Sequence, residues 1–206
     1  SFPPAADLPR LRSRRPRFPG SVGSRSGSAL RLPTAAAARP PLRSAMRPYD
    51  ELARSIAAAV PADADRHARM QCVVDVLWPA LAPTGVSWLG FYTEQPDAPE
   101  SERLELGPRE PRPACSPIGL HGVCGQSFVG RIDRVVHDVA ELGPDYIACD
   151  PRDRSEVVVP CIDAEGRCWG VLDLDSFDLG AFDHTDAAGL TTVLHAAGLV
   201  ASTPAD

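Results

Sequence analysis

Apolar residues return every three or four positions at Leu52, Ile56, Ala59 and Val60, the spacing of one helix face. Pro61-Ala62-Asp63 breaks that pattern and supplies an N-cap candidate in Asp63. Met70, Val73, Val74, Val76, Leu77 and Leu81 then predict a second amphipathic helix, closed by a Pro83-Thr84-Gly85 turn. The period next shortens to two. Val86 to Tyr92 reads as a strand from its aromatic and β-branched residues, Glu94 to Glu102 as a polar hairpin loop, and Leu104 to Leu106 as a short strand. Gly107 to Gly122 is too rich in Pro and Gly for a regular element. Val123 to Val129 predicts a short helix, Arg134 to Val136 a strand, and Tyr146 to Pro151 a loop. Ser155 to Pro160 and Cys168 to Leu174 read as strands around an Asp163-Ala164-Glu165-Gly166 turn. Asp183 to Leu199 closes the chain as an amphipathic helix with Asp183 as N-cap. This order predicts an α+β fold: an antiparallel sheet with helices on one face and pocket-forming loops on the other.

Charge divides the chain. Residues 1–47 hold 10 Arg and one acid, Asp7, while residues 48–206 hold 11 Arg and 26 acids; the whole chain has 206 residues and a net charge of −6. The split excludes a uniformly basic nucleic-acid binder. Every basic residue is arginine, which reflects codon bias rather than chemistry. Residues 1–47 lack an apolar period and are Arg/Pro/Ser-rich, a composition of disorder. It also suits an organelle transit peptide or upstream sequence translated from a mis-called start. The reading is therefore a tail at 1–47, a domain at 48–201 and a stub at 202–206. No 18-residue apolar run exists to cross a membrane as a helix, and no secretory apolar core stands at the N-terminus. A cytoplasmic location follows, or an organelle if the tail is a transit peptide.

Six cysteines stand at 72, 115, 124, 149, 161 and 168, and without a secretion signal they read as reduced thiols. Cys115, Cys124 and Cys149 lie in loop-like sequence where thiols can be exposed; Cys161 and Cys168 on strands and Cys72 on a helix read as packed. With no Cys-x-x-Cys pair and irregular histidine spacing, no metal site is read. Strand periodicity puts Asp173 and Asp175 on one face, about 7 Å apart along the chain, with Glu156 opening the preceding strand. Two readings stay open. Either Asp175 caps a turn and Arg152 or Arg154 pairs with the others, or the carboxylates form a cation pocket suited to an amino acid's ammonium. Trp88 is either a core residue or the wall of such a pocket.

Together these residues resemble the free methionine-(R)-sulfoxide reductases, a branch of the GAF-domain superfamily. The resemblance is carried by Trp88-Leu89-Gly90-Phe91-Tyr92, Leu106-Gly107-Pro108, Ala114-Cys115, Gly122-Val123-Cys124-Gly125, Tyr146-Ile147-Ala148-Cys149-Asp150, Ser155 to Pro160 and Gly170 to Ser176, across about residues 50 to 200. It implies a GAF-like fold and reduction of free methionine-(R)-sulfoxide without a cofactor. It implies Cys149 as the nucleophile that becomes a sulfenic acid, Cys115 as the resolving thiol, and Cys124 as a bystander or alternative resolver. Glu156, Asp173 and Asp175 are implied to hold the ammonium and help protonate the sulfoxide oxygen, with Trp88 against the S-methyl group. A thioredoxin-like reductant would recycle the disulfide. A homodimer is left open. The alternative is a non-catalytic GAF sensor that binds a small ligand or reports redox state. Two departures from the family pattern fall near Cys115: Arg109-Glu110-Pro111-Arg112 replaces an aromatic-Gln-Gly stretch, and the segment to Cys124 is one residue shorter. Asp150 beside Cys149 would oppose a thiolate unless Arg152, Arg154 or loop amides offset it.

Overall fold

The computed structural model describes residues 47–143, 146 and 149–201, so all of the tail read at 1–47 except Arg47, and the stub at 202–206, lie outside the described residues. Its elements are α1 (Tyr49–Ala59), α2 (Arg66–Leu81), β1 (Val86–Glu94), β2 (Leu104–Glu110), α3 (Val123–Gly130), β3 (Arg134–Val136), β4 (Ser155–Ile162), β5 (Cys168–Ser176) and α4 (His184–Ala196). The five strands form one sheet in the order β2-β1-β5-β4-β3, and every neighbouring pair is antiparallel.

Strand alternation sorts the two faces. Leu89, Phe91, Val157, Val159, Leu172 and Leu174 point to the side covered by α1, α2 and α4, where they join Ile56, Val73, Leu77, Leu190 and Leu194 in the main core. Trp88, Tyr92, Val158 and Val171 point the other way and pack with Leu104, Val123 and Cys124. The expected division of helices and loops therefore holds with one correction. The short helix α3 belongs to the loop side, because its Val123 and Cys124 are apolar partners for that face of the sheet.

Three boundaries also shift. The N-cap of α2 is Asp65, whose carboxylate accepts the Ala68 N–H at 2.8 Å, rather than Asp63. Strand β2 runs to Glu110 because its backbone pairs with β1 as far as Leu89, through the Pro- and Gly-containing stretch. Helix α4 stops at Ala196, and Gly198 at φ +67° turns the chain out of it. Its start matches the expectation: Asp183 accepts from Thr185 and Asp186, while the Asp186 carboxylate returns a bond to the Asp183 N–H.

Asp186 has a second partner set. The buried guanidinium of Arg47 donates to its Oδ1 at 2.6 Å, and the Tyr49 hydroxyl donates to the same oxygen at 2.9 Å. Arg47 also donates to the Thr84 hydroxyl and the Ala181 carbonyl. This satisfied pair ties the start of the described chain to the first turn of α4.

Candidate active site

The sheet register assembles the polar cluster. Trp88 on β1 lies opposite Asp175 on β5, and Asp175 lies opposite Glu156 on β4, so one row across three strands carries an indole and two carboxyls. One step along, on the same face, Asp173 lies between Gly90 and Val158. Gly90 must lack a side chain here. A Cβ would come within 2.5 Å of the Trp88 ring and 2.7 Å of the Arg109 Cβ.

Trp88, Glu156, Asp173 and Asp175 are 2%, 5%, 6% and 8% exposed. They line a cavity of about 210 Å³ together with Cys115, Cys124 and Cys149, so all seven sequence-derived candidates meet in one place. Carboxyl oxygens of Glu156, Asp173 and Asp175 lie within 4.8 Å of one another. Among the described residues no arginine forms an ion pair with any of them, and the Glu156 Oε1 and Asp173 Oδ1 atoms are buried without a hydrogen-bond partner. The pairing of Arg152 or Arg154 with this cluster is thus corrected. Arg152 instead grips Asp150, at 3.0 and 2.7 Å. The turn after β5 is held by the Ser176 hydroxyl, which accepts the Asp178 N–H, so Asp175 is free of that duty.

Burial and mutual repulsion set the protonation of this cluster. Burial pushes Glu156 well above the usual carboxylate range, with Asp175 and Asp153 adding to the effect. Burial does the same to Asp173, reinforced by Glu156 and opposed by the Cys124 thiol, which donates to Asp173 Oδ2 at 3.3 Å. Asp175 is raised by burial and by Asp173, and Arg112 partly offsets it. The cluster therefore holds protons that it releases when a cation arrives. An ammonium group satisfies such an all-oxygen set, as does a small hard metal ion, and among the described residues these three form the group that could hold a metal.

The cysteines divide differently from the expectation. Cys115 and Cys149 are exposed at the rim. Cys124 is buried on α3, which corrects its reading as a loop thiol, and burial followed by Asp173 drives its pKa well up. The Cys149 thiol is pushed up to about 12, chiefly by burial against the cavity wall and then by the neighbouring Cys115. Cys149 shares the cavity wall with Cys115, and its raised pKa favours the neutral thiol. Asp150 does not add an unbalanced charge beside it. The Arg152 hydrogen bonds, and Arg112 at 2.8 Å, hold the Asp150 carboxyl far below its usual range. Arg154 plays no part in that pairing.

Four lining residues escaped the sequence reading: Tyr92, Tyr146, Asp153 and His121. Tyr92 was accessible, since it lies four positions beyond Trp88 on the same strand face. Its hydroxyl donates to the Cys115 carbonyl at 2.9 Å. Burial raises the pKa of both tyrosines, which keeps them as neutral O–H donors. No signal marked Asp153 or His121.

No family model matches the chain. Free methionine-R-sulfoxide reductase of Saccharomyces cerevisiae is 40% identical over 114 residues, 54% of this chain and 62% of that protein. The X-ray structure of free methionine-R-sulfoxide reductase from Neisseria meningitidis in complex with its substrate is 37% identical with a TM-score of 0.64, covering 72% of this chain and 85% of that one. This chain belongs to the free methionine-R-sulfoxide reductase family. The fold is that of a GAF domain: a solved GAF domain matches with a TM-score of 0.66 and 28% identity, over 75% of this chain and 88% of that one. The match spans a little under two thirds of the yeast reductase's own length. Within the reductase family, the departures at Arg109–Arg112 leave the cavity lined by three cysteines and four carboxyls, Asp153 included.

Proposed function

We propose that this protein reduces free methionine-(R)-sulfoxide to methionine, with Cys149 as nucleophile and Cys115 as resolving thiol. The observation that carries the reading is the set of three buried carboxyl groups, ion-paired with no arginine among the described residues, in the same cavity as Cys115 and Cys149. Placing carboxyls there without a counterion is unfavourable in the absence of ligand. An amino acid's ammonium relieves that cost. A peptide-bound methionine sulfoxide has no ammonium to offer, which gives a physical basis for selecting the free amino acid. Trp88 supplies a flat apolar wall for the S-methyl group.

The steps balance as follows. The Cys149 sulfur attacks the sulfoxide sulfur while a raised carboxyl group of the cluster protonates the sulfoxide oxygen. An S–S bond forms, the thiol's proton also passes to the oxygen, and the S–O bond breaks as water leaves; water then attacks the Cys149 sulfur, the S–S bond breaks, methionine leaves, Cys149 remains as a sulfenic acid, and the carboxylate takes back its proton. Cys115 then attacks the Cys149 sulfur, an S–S bond forms, and the oxygen departs as water. A dithiol reductant of the thioredoxin class restores both thiols at its own expense. The buried Cys124, bonded to Asp173, serves as a bystander in this scheme. Such chemistry belongs in a reducing compartment such as the cytoplasm, in keeping with six unbridged cysteines.

Replacing Cys115 by serine tests the division of labour. The Cys115→Ser chain is expected to release one methionine per chain and then stall as a Cys149 sulfenic acid that dimedone labels. Quantifying free methionine against protein decides the matter: sustained thioredoxin-dependent turnover by this variant would remove Cys115 from the mechanism.

A further inference from the structure

Arg112 connects pieces of the site that the chain itself leaves apart. It lies three residues before Cys115, and its Nη2 donates to Oδ2 of Asp150, the residue after Cys149, at 2.8 Å. Its Nη1 donates to the Ser87 carbonyl on β1 at 3.1 Å. Its own carbonyl accepts the Trp88 Nε1–H at 2.8 Å. Its guanidinium also lies 5.7 Å from the Phe177 ring centroid, just beyond β5. Among the described residues, this is the one side-chain hydrogen bond between the Cys115 loop and the Cys149 loop. Arg152 cannot supply the same link, because it belongs to the Cys149 loop and bonds Asp150 two residues away.

We infer that Arg112 is a positioning residue that clasps the two cysteine loops to β1 and so sets the approach of Cys115 to Cys149. The assignment rests on the proposed roles of those cysteines. Disulfide formation needs the two Cα atoms within about 7 Å and the sulfurs aligned, a tolerance that two untethered loops would seldom meet. A planar guanidinium suits the task, because one fork serves a carbonyl on one strand and a carboxylate on the facing loop at once. A lysine's point charge can hold only one of them well. Arg112 touches none of the reacting sulfur atoms. Its effect therefore falls on the second step, condensation of the Cys149 sulfenic acid with Cys115, more than on methionine release.

The experiment follows one turnover of the full-length chain without reductant, reading methionine released, dimedone-reactive sulfenic acid and the Cys115–Cys149 disulfide by mass. Wild type is expected to give one methionine and one disulfide per chain with little sulfenic acid. Arg112→Ala is expected to keep the amplitude of methionine release but form the disulfide about tenfold or more slowly, with sulfenic acid accumulating. Arg112→Lys should fall between. Asp150→Asn should slow the same step, and the Arg112→Ala/Asp150→Asn double variant should be no slower than the slower single, since both remove one tie. A general loss of structure would lower methionine amplitude and disulfide alike. If Arg112→Ala does not fold, Asp150→Asn alone decides. A folded variant that condenses at the wild-type rate overturns the assignment. Wild-type protein that releases no methionine would instead overturn the cysteine roles beneath it.

Discussion

Cys149→Ser is expected to abolish methionine formation from the first turnover onward, with a loss of at least about 10³-fold in rate. Serine keeps the volume of the residue and its place against Cys115, but an alcohol does not take the sulfoxide oxygen as a thiol does. The contrast with Cys115→Ser is the informative part. That variant should lose only recycling, because Cys115 enters after methionine has left. Free methionine measured in a reductant-free burst separates the two cases. A Cys149→Ser chain that still releases one equivalent would shift the nucleophile to another thiol. Cys124 is poorly placed for that, since it is buried and its S–H is committed to Asp173. The high pKa of Cys149, about 12, does not contradict the role. The overall step carries the thiol's proton into the products, so a resting thiol is the correct starting state.

Asp173→Asn carries the second large effect, and it runs in opposite directions for activity and stability. The substitution keeps the shape of the side chain and removes one of the three carboxyls that, in the proposed mechanism, answer the substrate ammonium and supply a proton. Turnover is expected to fall about 10²- to 10³-fold, with a raised KM. Stability should rise. Burial and Glu156 raise the folded-state pKa of Asp173, so between the ordinary carboxylate range and that raised value the folded chain binds a proton that the unfolded chain has lost. Stability of the ligand-free wild type therefore declines as pH climbs through that window. The asparagine has no proton to lose, so the melting-temperature gap between variant and wild type should widen from pH 5 to pH 8, reaching about 2–5 °C. Thermal melts across that range check the sign. A variant less stable than wild type at pH 8 would mean that Asp173 is held by a partner rather than strained by its neighbours.

How far the sequence carried can be followed residue by residue. Period-two alternation placed Asp173 and Asp175 on one face, and the register then added Glu156 and Trp88 in the same row. The carboxyl cluster was thus legible in outline, because a strand's geometry is fixed by its backbone. Its freedom from arginine was not, and it required knowing that Arg152 bends back to Asp150. Cys124 was grouped with the loop thiols although it falls in the expected Val123 to Val129 helix; packing of Val123 and Cys124 on the sheet is what buries it. Extension of β2 through Gly107 and Pro108 was hidden for a related reason. Local composition argued for irregular chain, while the pairing with β1 that overrides it is long-range. Arg112 stood out only as part of a departure from the family pattern, and its reach from a loop to Ser87 and Asp150 was not legible.

We propose that the carboxyl cluster selects a free amino acid and delivers its sulfoxide to Cys149. This proposal is tested most directly by comparing turnover of the full-length chain, with a thioredoxin system, on free methionine-(R)-sulfoxide and on its N-acetyl derivative. The free amino acid is expected to turn over, with a loss of at least about 10²-fold for the N-acetyl compound, whose ammonium is gone. Equal rates on the two would contradict ammonium selection. No turnover of either by a folded, reduced chain would contradict the enzyme itself and point to a GAF sensor.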